Sequence, residues 1–165
     1  DVNELLALKQ EGKGVAEYAK GSAIDRDAIV DVECDIWIPA ARPDVIHEDN
    51  VQRLNTKLVV EGANIPITHG AEKILAERGI LCVPDFIANA GGVICAAMEY
   101  HGANESAAFQ TIEDKLRRNT RQVLETAASK NILPRQASTE MALQRVKKAM
   151  SFRRYSLFSS GPGFL

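Results

Sequence analysis

Three short apolar runs at residues 34–39, 57–61 and 80–83 each break into a loop of small residues and then into a stretch with helical spacing. Four to six residues rich in Val, Ile, Leu and Cys, bounded by Pro or Gly, suit strands covered on both faces. Strands alternating with helices at this spacing leave one economical solution, a parallel sheet joined by right-handed crossovers. The chain is therefore expected to be an α/β protein, with Pro39 closing the first strand. Pro43 suits the first turn of a helix running to about residue 54. Thr68 can cap a helix that ends at Gly79, and residues 93–100 begin another.

The flanks read differently. Leu5, Leu6 and Leu8 suggest a short helix over residues 2–10 that stops near Gly12 and Gly14, a brief strand is expected at 15–19, and Asp25 can cap a helical turn through Val30. From Asn104 onward the pattern is helical, with Phe109, Ile112, Leu116, Val123, Leu124, Ala127 and Ala128 following the 3.6 period. Pro134 separates that helix from a last one carrying Met141, Val146 and Met150. Residues 151–165 have no such period and are expected to form a flexible tail.

At 165 residues and 45% hydrophobic content the chain can fill one core. It has no run near the roughly 20 apolar residues that a membrane span needs and no leader-like start, so a soluble, cytoplasmic protein that engages no membrane is expected. Cys34, Cys82 and Cys95 are odd in number and widely spaced, which favours buried thiols over disulfides; no His or Cys stands at metal-ligand spacing, so no metal site is expected. Residues 1–114 carry 9 Lys and Arg against 20 Asp and Glu, while residues 115–165 carry 11 against 2, so the two parts differ from about -11 to +9. Lys115, Arg117, Arg118, Arg121, Arg145, Lys147 and Lys148 lie on helical stretches with few aromatics to stack on bases. Solvated faces, or contacts with acidic surfaces, are expected there rather than a nucleic-acid interface.

The strand exits carry the candidate chemistry. Pro39-Ala40-Ala41, Glu61-Gly62-Ala63-Asn64 and Ala88-Asn89-Ala90-Gly91-Gly92 each put small residues or an amide where open parallel sheets bind ligands. Small side chains let a flat ligand lie close to backbone, and the amides of Asn64 and Asn89 can each donate and accept. The stretch Asp85-Phe86-Ile87-Ala88-Asn89-Ala90-Gly91-Gly92-Val93 reads as a ligand-facing turn.

Four linked motifs make a family resemblance: Asp35-Ile36-Trp37-Ile38-Pro39-Ala40-Ala41, Val59-Val60-Glu61-Gly62-Ala63-Asn64, Glu77-Arg78-Gly79-Ile80, and Val83-Pro84-Asp85 through Val93. Together they resemble the C-terminal half of the cofactor domain in the glutamate/leucine/phenylalanine/valine dehydrogenase family, in order, over about residues 1–150. The resemblance implies a partial Rossmann-like domain at 1–103, C-terminal helices at 104–150 returning toward a substrate domain, and the tail at 151–165. It implies oxidative deamination of an L-amino acid to a 2-oxo acid and ammonia with NAD or NADP, glutamate being the first expectation, in an enzyme that forms homo-oligomers. Pro39, Ala40, Ala41, Asn64 and Asn89 are then the cofactor-binding residues, and Asn89, Val93 and Ala96 the substrate-binding ones. Glutamate-specific members carry serine where this chain has Ala96, which leaves open an aliphatic substrate or a carboxylate held by other means.

No Gly-x-Gly-x-x-Gly loop follows a strand in these residues, and Lys57 and Lys73 have no motif to recommend them as the family's catalytic lysine. No catalytic residue is therefore expected within the chain. The material is expected to be part of a longer enzyme that neither turns over amino acids nor binds dinucleotide tightly by itself, with an exposed sheet edge at residues 35–38. The alternative is a non-catalytic binding or regulatory module derived from the cofactor domain.

Overall fold

The computed structural model describes residues 1–152, in two compact units, Asp1–Val32 and the residues from Glu33 onward. In the first unit, helix α1 (Val2–Gln10) starts at Asp1, whose carboxylate accepts from the Asn3 N–H at 2.8 Å, and a left-handed Gly12 (φ +78°) follows its end. Residues 15–19 do not form the expected strand. Val15–Glu17 is one 3-10 turn, because the Glu17 carboxylate reaches back to the Gly14 N–H at 2.9 Å and closes the backbone locally. Asp25 caps a second 3-10 segment, Arg26–Asp31, by accepting from the Asp27 N–H.

The second unit holds the sheet. Strands β1 (Ile36–Trp37), β2 (Leu58–Val60) and β3 (Leu81–Val83) are all parallel in the order β1-β2-β3, with Ile36 opposite Leu58 and Val59 opposite Cys82. β1 lies at one edge, where Ile36 and Ile38 are exposed. Helix α2 (His69–Glu77) begins at Thr68, whose hydroxyl accepts from the Ala71 N–H, and stops before Gly79 at φ +76°.

The helix expected over residues 43–54 does not form. Asp44 sits in the left-handed region (φ +50°), Ile46 pairs as an isolated parallel bridge with Ile67, and the Asn50 side chain accepts from the His47 N–H while donating to the Val45 carbonyl. Short polar side chains compete with helical bonding in this way. The crossover instead buries Ile46, Val51 and Leu54 and contains only a 3-10 turn, Val51–Arg53. Arg78 holds that turn from the end of α2, donating to the carbonyls of Val51 at 2.6 Å and Leu54 at 2.7 Å.

After β3 come α3 (Asp85–Ala88), α4 (Gly91–Tyr100), α5 (Glu105–Lys130) and α6 (Pro134–Ser151). Asn104 caps α5, Asn131 ends it at φ +52°, and Pro134 opens α6 at its first position. Val83, Ile87, Val123, Ala127, Ala137 and Met141 form one core that joins β3 and α3 to α5 and α6. The inward stripe of α5 starts at Ala108 and not at Phe109, which is 64% exposed; one position turns a helical side chain by about 100°. Val146 and Met150 are exposed on α6. Residue 151 ends α6, and the rest of the expected tail, from residue 153, lies outside the described residues. Among the described residues no helix is long and apolar enough to cross a membrane.

Candidate functional site

The three strand exits converge. The Ala63 N–H donates to the Pro39 carbonyl at 2.7 Å, and a Cβ built on Gly62 would lie 3.2 Å from the Ala40 Cβ and 3.4 Å from the Pro39 oxygen. Glycine lets the β1 and β2 exit loops approach backbone to backbone, where a side chain would be crowded. The Asn89 amide nitrogen donates to Asn64 Oδ1 at 2.7 Å and more weakly to the Gly62 carbonyl at 3.4 Å, which brings in the β3 exit. Ala40, Ala41, Arg42, Pro43, Asn64, Asn89, Gly92 and Val93 line the resulting open groove of about 670 Å³.

Of the residues expected at the site, Ala40, Ala41, Asn64, Asn89 and Val93 line this groove, and Pro39 is buried beneath it. Ala96 is exposed on α4 one turn beyond Val93 and is not part of the lining. The stretch from Asp85 to Val93, expected as a ligand-facing turn, is the short helix α3, a turn at residues 89–90 and the start of α4. α3 ends at Asn89, whose N–H donates to the Asp85 carbonyl at 2.7 Å, and α4 starts two residues later. Gly91 and Gly92 have no left-handed torsions; a Cβ on Gly91 would rest against Ile112, and one on Gly92 would meet nothing within 4 Å. Gly91 thus faces α5 at ordinary contact distance, and Gly92 lies in open space at the groove.

The amide pair leaves hydrogen-bonding capacity facing the groove. Once Asn89 has donated to Asn64, the Asn64 amide nitrogen and the Asn89 oxygen have no partner among the described residues, leaving a donor and an acceptor beside a clear backbone surface. Ile65 sits on the rim at φ +44°, a conformation a β-branched residue adopts only under constraint. Its N–H donates to Asp85 Oδ2 at 2.8 Å, and its carbonyl accepts from the Asp44 N–H.

Sequence reasoning missed the polar node beneath this groove. Arg135, in the first turn of α6, donates through Nη2 to both oxygens of Glu61 (2.8 and 3.0 Å), through Nε to Glu72 (2.8 Å) and through Nη1 to Asp85 (3.0 Å). Glu61 is fully buried, and Arg135 also lies 5.9 Å over the Phe86 ring. Burial pushes the Glu61 carboxyl up to about 7 despite Arg135, with Glu72 and Asp85 adding to the rise. Asp85 is also opposed by burial, yet the Ile65 N–H and Arg135 hold it below the usual carboxylate range. Arg135 itself is desolvated but is held above its ordinary value by Glu61 and Glu72. One signal could have exposed the node: a cation in the first turn of a helix faces the wrong end of the macrodipole unless specific anions meet it.

The thiols divide. Cys82 is buried and its pKa is pushed up to about 12 by burial, whereas Cys34 and Cys95 are half-buried, in contrast to the expected buried set. Among the described residues no three His, Cys, Asp or Glu side chains are arranged to hold a metal ion.

Comparison with known proteins supplies the family. A family profile described as glutamate/leucine/phenylalanine/valine dehydrogenase matches residues 1–154. The glutamate dehydrogenase of Aeropyrum pernix is 37% identical over 164 residues, covering 93% of this chain and 39% of that protein. The NADP-specific glutamate dehydrogenase of Saccharolobus shibatae is 41% identical over 100 residues, covering 61% of this chain and 24% of that protein. Among solved structures, the glutamate dehydrogenase of Peptoniphilus asaccharolyticus superposes with a TM-score of 0.69 at 28% identity, over 94% of this chain and 36% of its own. The hetero-hexameric glutamate dehydrogenase of Thermus thermophilus, in a Leu-bound form, shares the fold with a TM-score of 0.79 at 22% identity, over 94% of this chain and 38% of its own. The chain thus spans about two-fifths or less of the length of these relatives.

Proposed function

The chain belongs to the glutamate/leucine/phenylalanine/valine dehydrogenase family, and from that premise we propose that its groove is the nicotinamide side of the cofactor site in an NAD(P)-dependent amino-acid dehydrogenase. The observation that carries the reading is the Asn64–Asn89 pair at the meeting point of three strand exits, with Gly62 and Gly92 keeping the backbone clear around it. The bound dinucleotide supplies the hydride-accepting chemistry. The residues of this chain position it: Ala40 and Ala41 leave room for ribose and phosphate, and Asn64 holds the nicotinamide ribose. Asn89 faces the carboxamide and the substrate's amino-acid head. Such positioning supplies the alignment that transfer between two carbons requires.

Val93, exposed at the groove, lines the substrate side-chain pocket in this reading, and Ala96 sits one turn further on. The substrate is an L-amino acid, with glutamate favoured by the names of the relatives and an aliphatic side chain favoured by Ala96. The NADP-specific relative supports NADP as the dinucleotide, with NAD as the alternative, and the hetero-hexameric neighbour supports an oligomer. The 165 residues contain neither a Gly-x-Gly-x-x-Gly loop nor a motif-bearing lysine, so by themselves they bind dinucleotide weakly and do not turn over. Titration of the 15N-labelled chain with NADH and NADPH tests the reading. Shifts should concentrate at Ala40, Ala41, Asn64 and Asn89, and an even spread, or none at millimolar ligand, refutes it. Amino-acid-dependent reduction of NAD or NADP by the 165 residues would refute the inactivity.

A further inference from the structure

We infer that Arg135 is the positioning residue of the groove, setting the geometry of the Asn64–Asn89 pair from outside the site through Glu61 and Asp85. Three connections run from its guanidinium to the pair. Glu61, held through both oxygens, directly precedes Gly62, whose carbonyl accepts from Asn89. Asp85 takes Arg135 on Oδ1 and the Ile65 N–H on Oδ2, which fixes the residue following Asn64 in its left-handed conformation. The Asp85 carbonyl in turn accepts the Asn89 N–H at 2.7 Å. The segment bearing Asn64 is therefore fixed on both sides, at Glu61 and at Ile65, and the peptide bearing Asn89 hangs from Asp85.

Arg135 does not line the groove, so it touches no ligand there; its effect passes through other residues. A planar guanidinium with five donors can serve three carboxylates in fixed directions, which an ammonium cannot. If the node served only to hold α6 on the sheet, the core formed by Val83, Val123, Ala137 and Met141 would do that work without specifying which atoms of Glu61 and Asp85 are held.

The inference rests on the groove being a dinucleotide site only for its functional consequence, and its test separates the two. The side-chain amide signals of Asn64 and Asn89 are followed by 15N-resolved NMR in the wild-type chain, Arg135→Lys and Glu61→Gln, with thermal melting as a check of folding. Arg135→Lys is expected to move both pairs of amide signals together and to reduce the NADH-induced shifts at these residues at least threefold. Glu61→Gln should move the Asn64 pair more than the Asn89 pair, because Asp85 keeps its guanidinium contact. In the wild type both pairs should follow a titration near pH 7 that Glu61→Gln abolishes. The groups facing Glu61 are Glu72 from α2, Cys82 from β3, Asp85 from α3 and Arg135 from α6.

Should Arg135→Lys fail to fold, Glu61→Gln still decides. Folded variants whose amide signals stay at wild-type positions would overturn the inference. A wild-type chain that shows the coupled amide shifts but no response to NADH supports the positioning role and refutes the dinucleotide reading.

Discussion

Glu61→Gln should remove a pH dependence from the stability of the fold. The Glu61 carboxyl rises from 4.5 in the unfolded chain to about 7 in the folded one, because it is buried with Glu72 and Asp85 nearby. Between these values the folded state binds more protons than the unfolded state, so stability falls as pH rises. Below pH 4.5 both states hold the proton, and above 7 neither does, so the slope is confined to that window. At about 1.36 kcal/mol per pKa unit, the shift corresponds to a loss of about 3 kcal/mol on going from pH 4.5 to 7.5.

Gln has no proton to lose, and other groups titrating in the window cancel when variant and wild type are compared at each pH. Asp85, held low, contributes stability that is lost only as pH falls below its ordinary range, beneath the window. Urea unfolding of both proteins at half-unit steps is the assay. With m near 2 kcal/mol/M, the wild-type midpoint should drop by about 1.5 M relative to Glu61→Gln across the window. Parallel midpoints from pH 4.5 to 7.5 would show that Glu61 ionises normally and that the burial argument is wrong.

Other substitutions probe separate parts of the structure. Ile65→Gly should raise stability by about 0.5–1 kcal/mol, since Ile65 holds φ +44° while 57% exposed and so has little burial to lose; a lower melting temperature would count against strain at the rim. Arg78→Met should cost about 1–2 kcal/mol by orphaning the Val51 and Leu54 carbonyls, read from urea midpoints, and an unchanged midpoint would show that water replaces the guanidinium. Cys82, buried and pushed up to about 12, should react with iodoacetamide at least tenfold more slowly than Cys34 and Cys95 at pH 8, and peptide mapping that finds equal labelling would contradict its burial.

The sheet was legible because its signal is local. Runs such as Leu58-Val59-Val60 and Leu81-Cys82-Val83 are apolar on both faces, and Gly62-Ala63 after the first is small enough for neighbouring exits to meet. The converging loops were legible for the same reason: Gly62 and Asn64 mark a close backbone approach and an available amide within four residues of a strand end. The crossover over residues 43–54 was not, because Pro43 is compatible with a helix start, while Asp44, Asn50 and the buried Ile46 impose a loop whose partner, Ile67, lies beyond the window in which periodicity is read.

The node at Arg135 was the least legible for a related reason. Glu61 and Arg135 are 74 residues apart, and each is unremarkable in its own segment: an acid ending a strand, a base on a helix already rich in bases. What distinguishes them is physical conflict with their surroundings. A carboxylate at the end of an apolar run is desolvated, and a cation in a helix's first turn is opposed by the dipole. Each conflict is relieved by the other residue, with Glu72 and Asp85 completing the anionic surround of Arg135. Two locally unfavourable charges of opposite sign, one at a strand exit and one at a helix start, are therefore the pattern by which such a buried pair can be sought in a sequence before its fold is known.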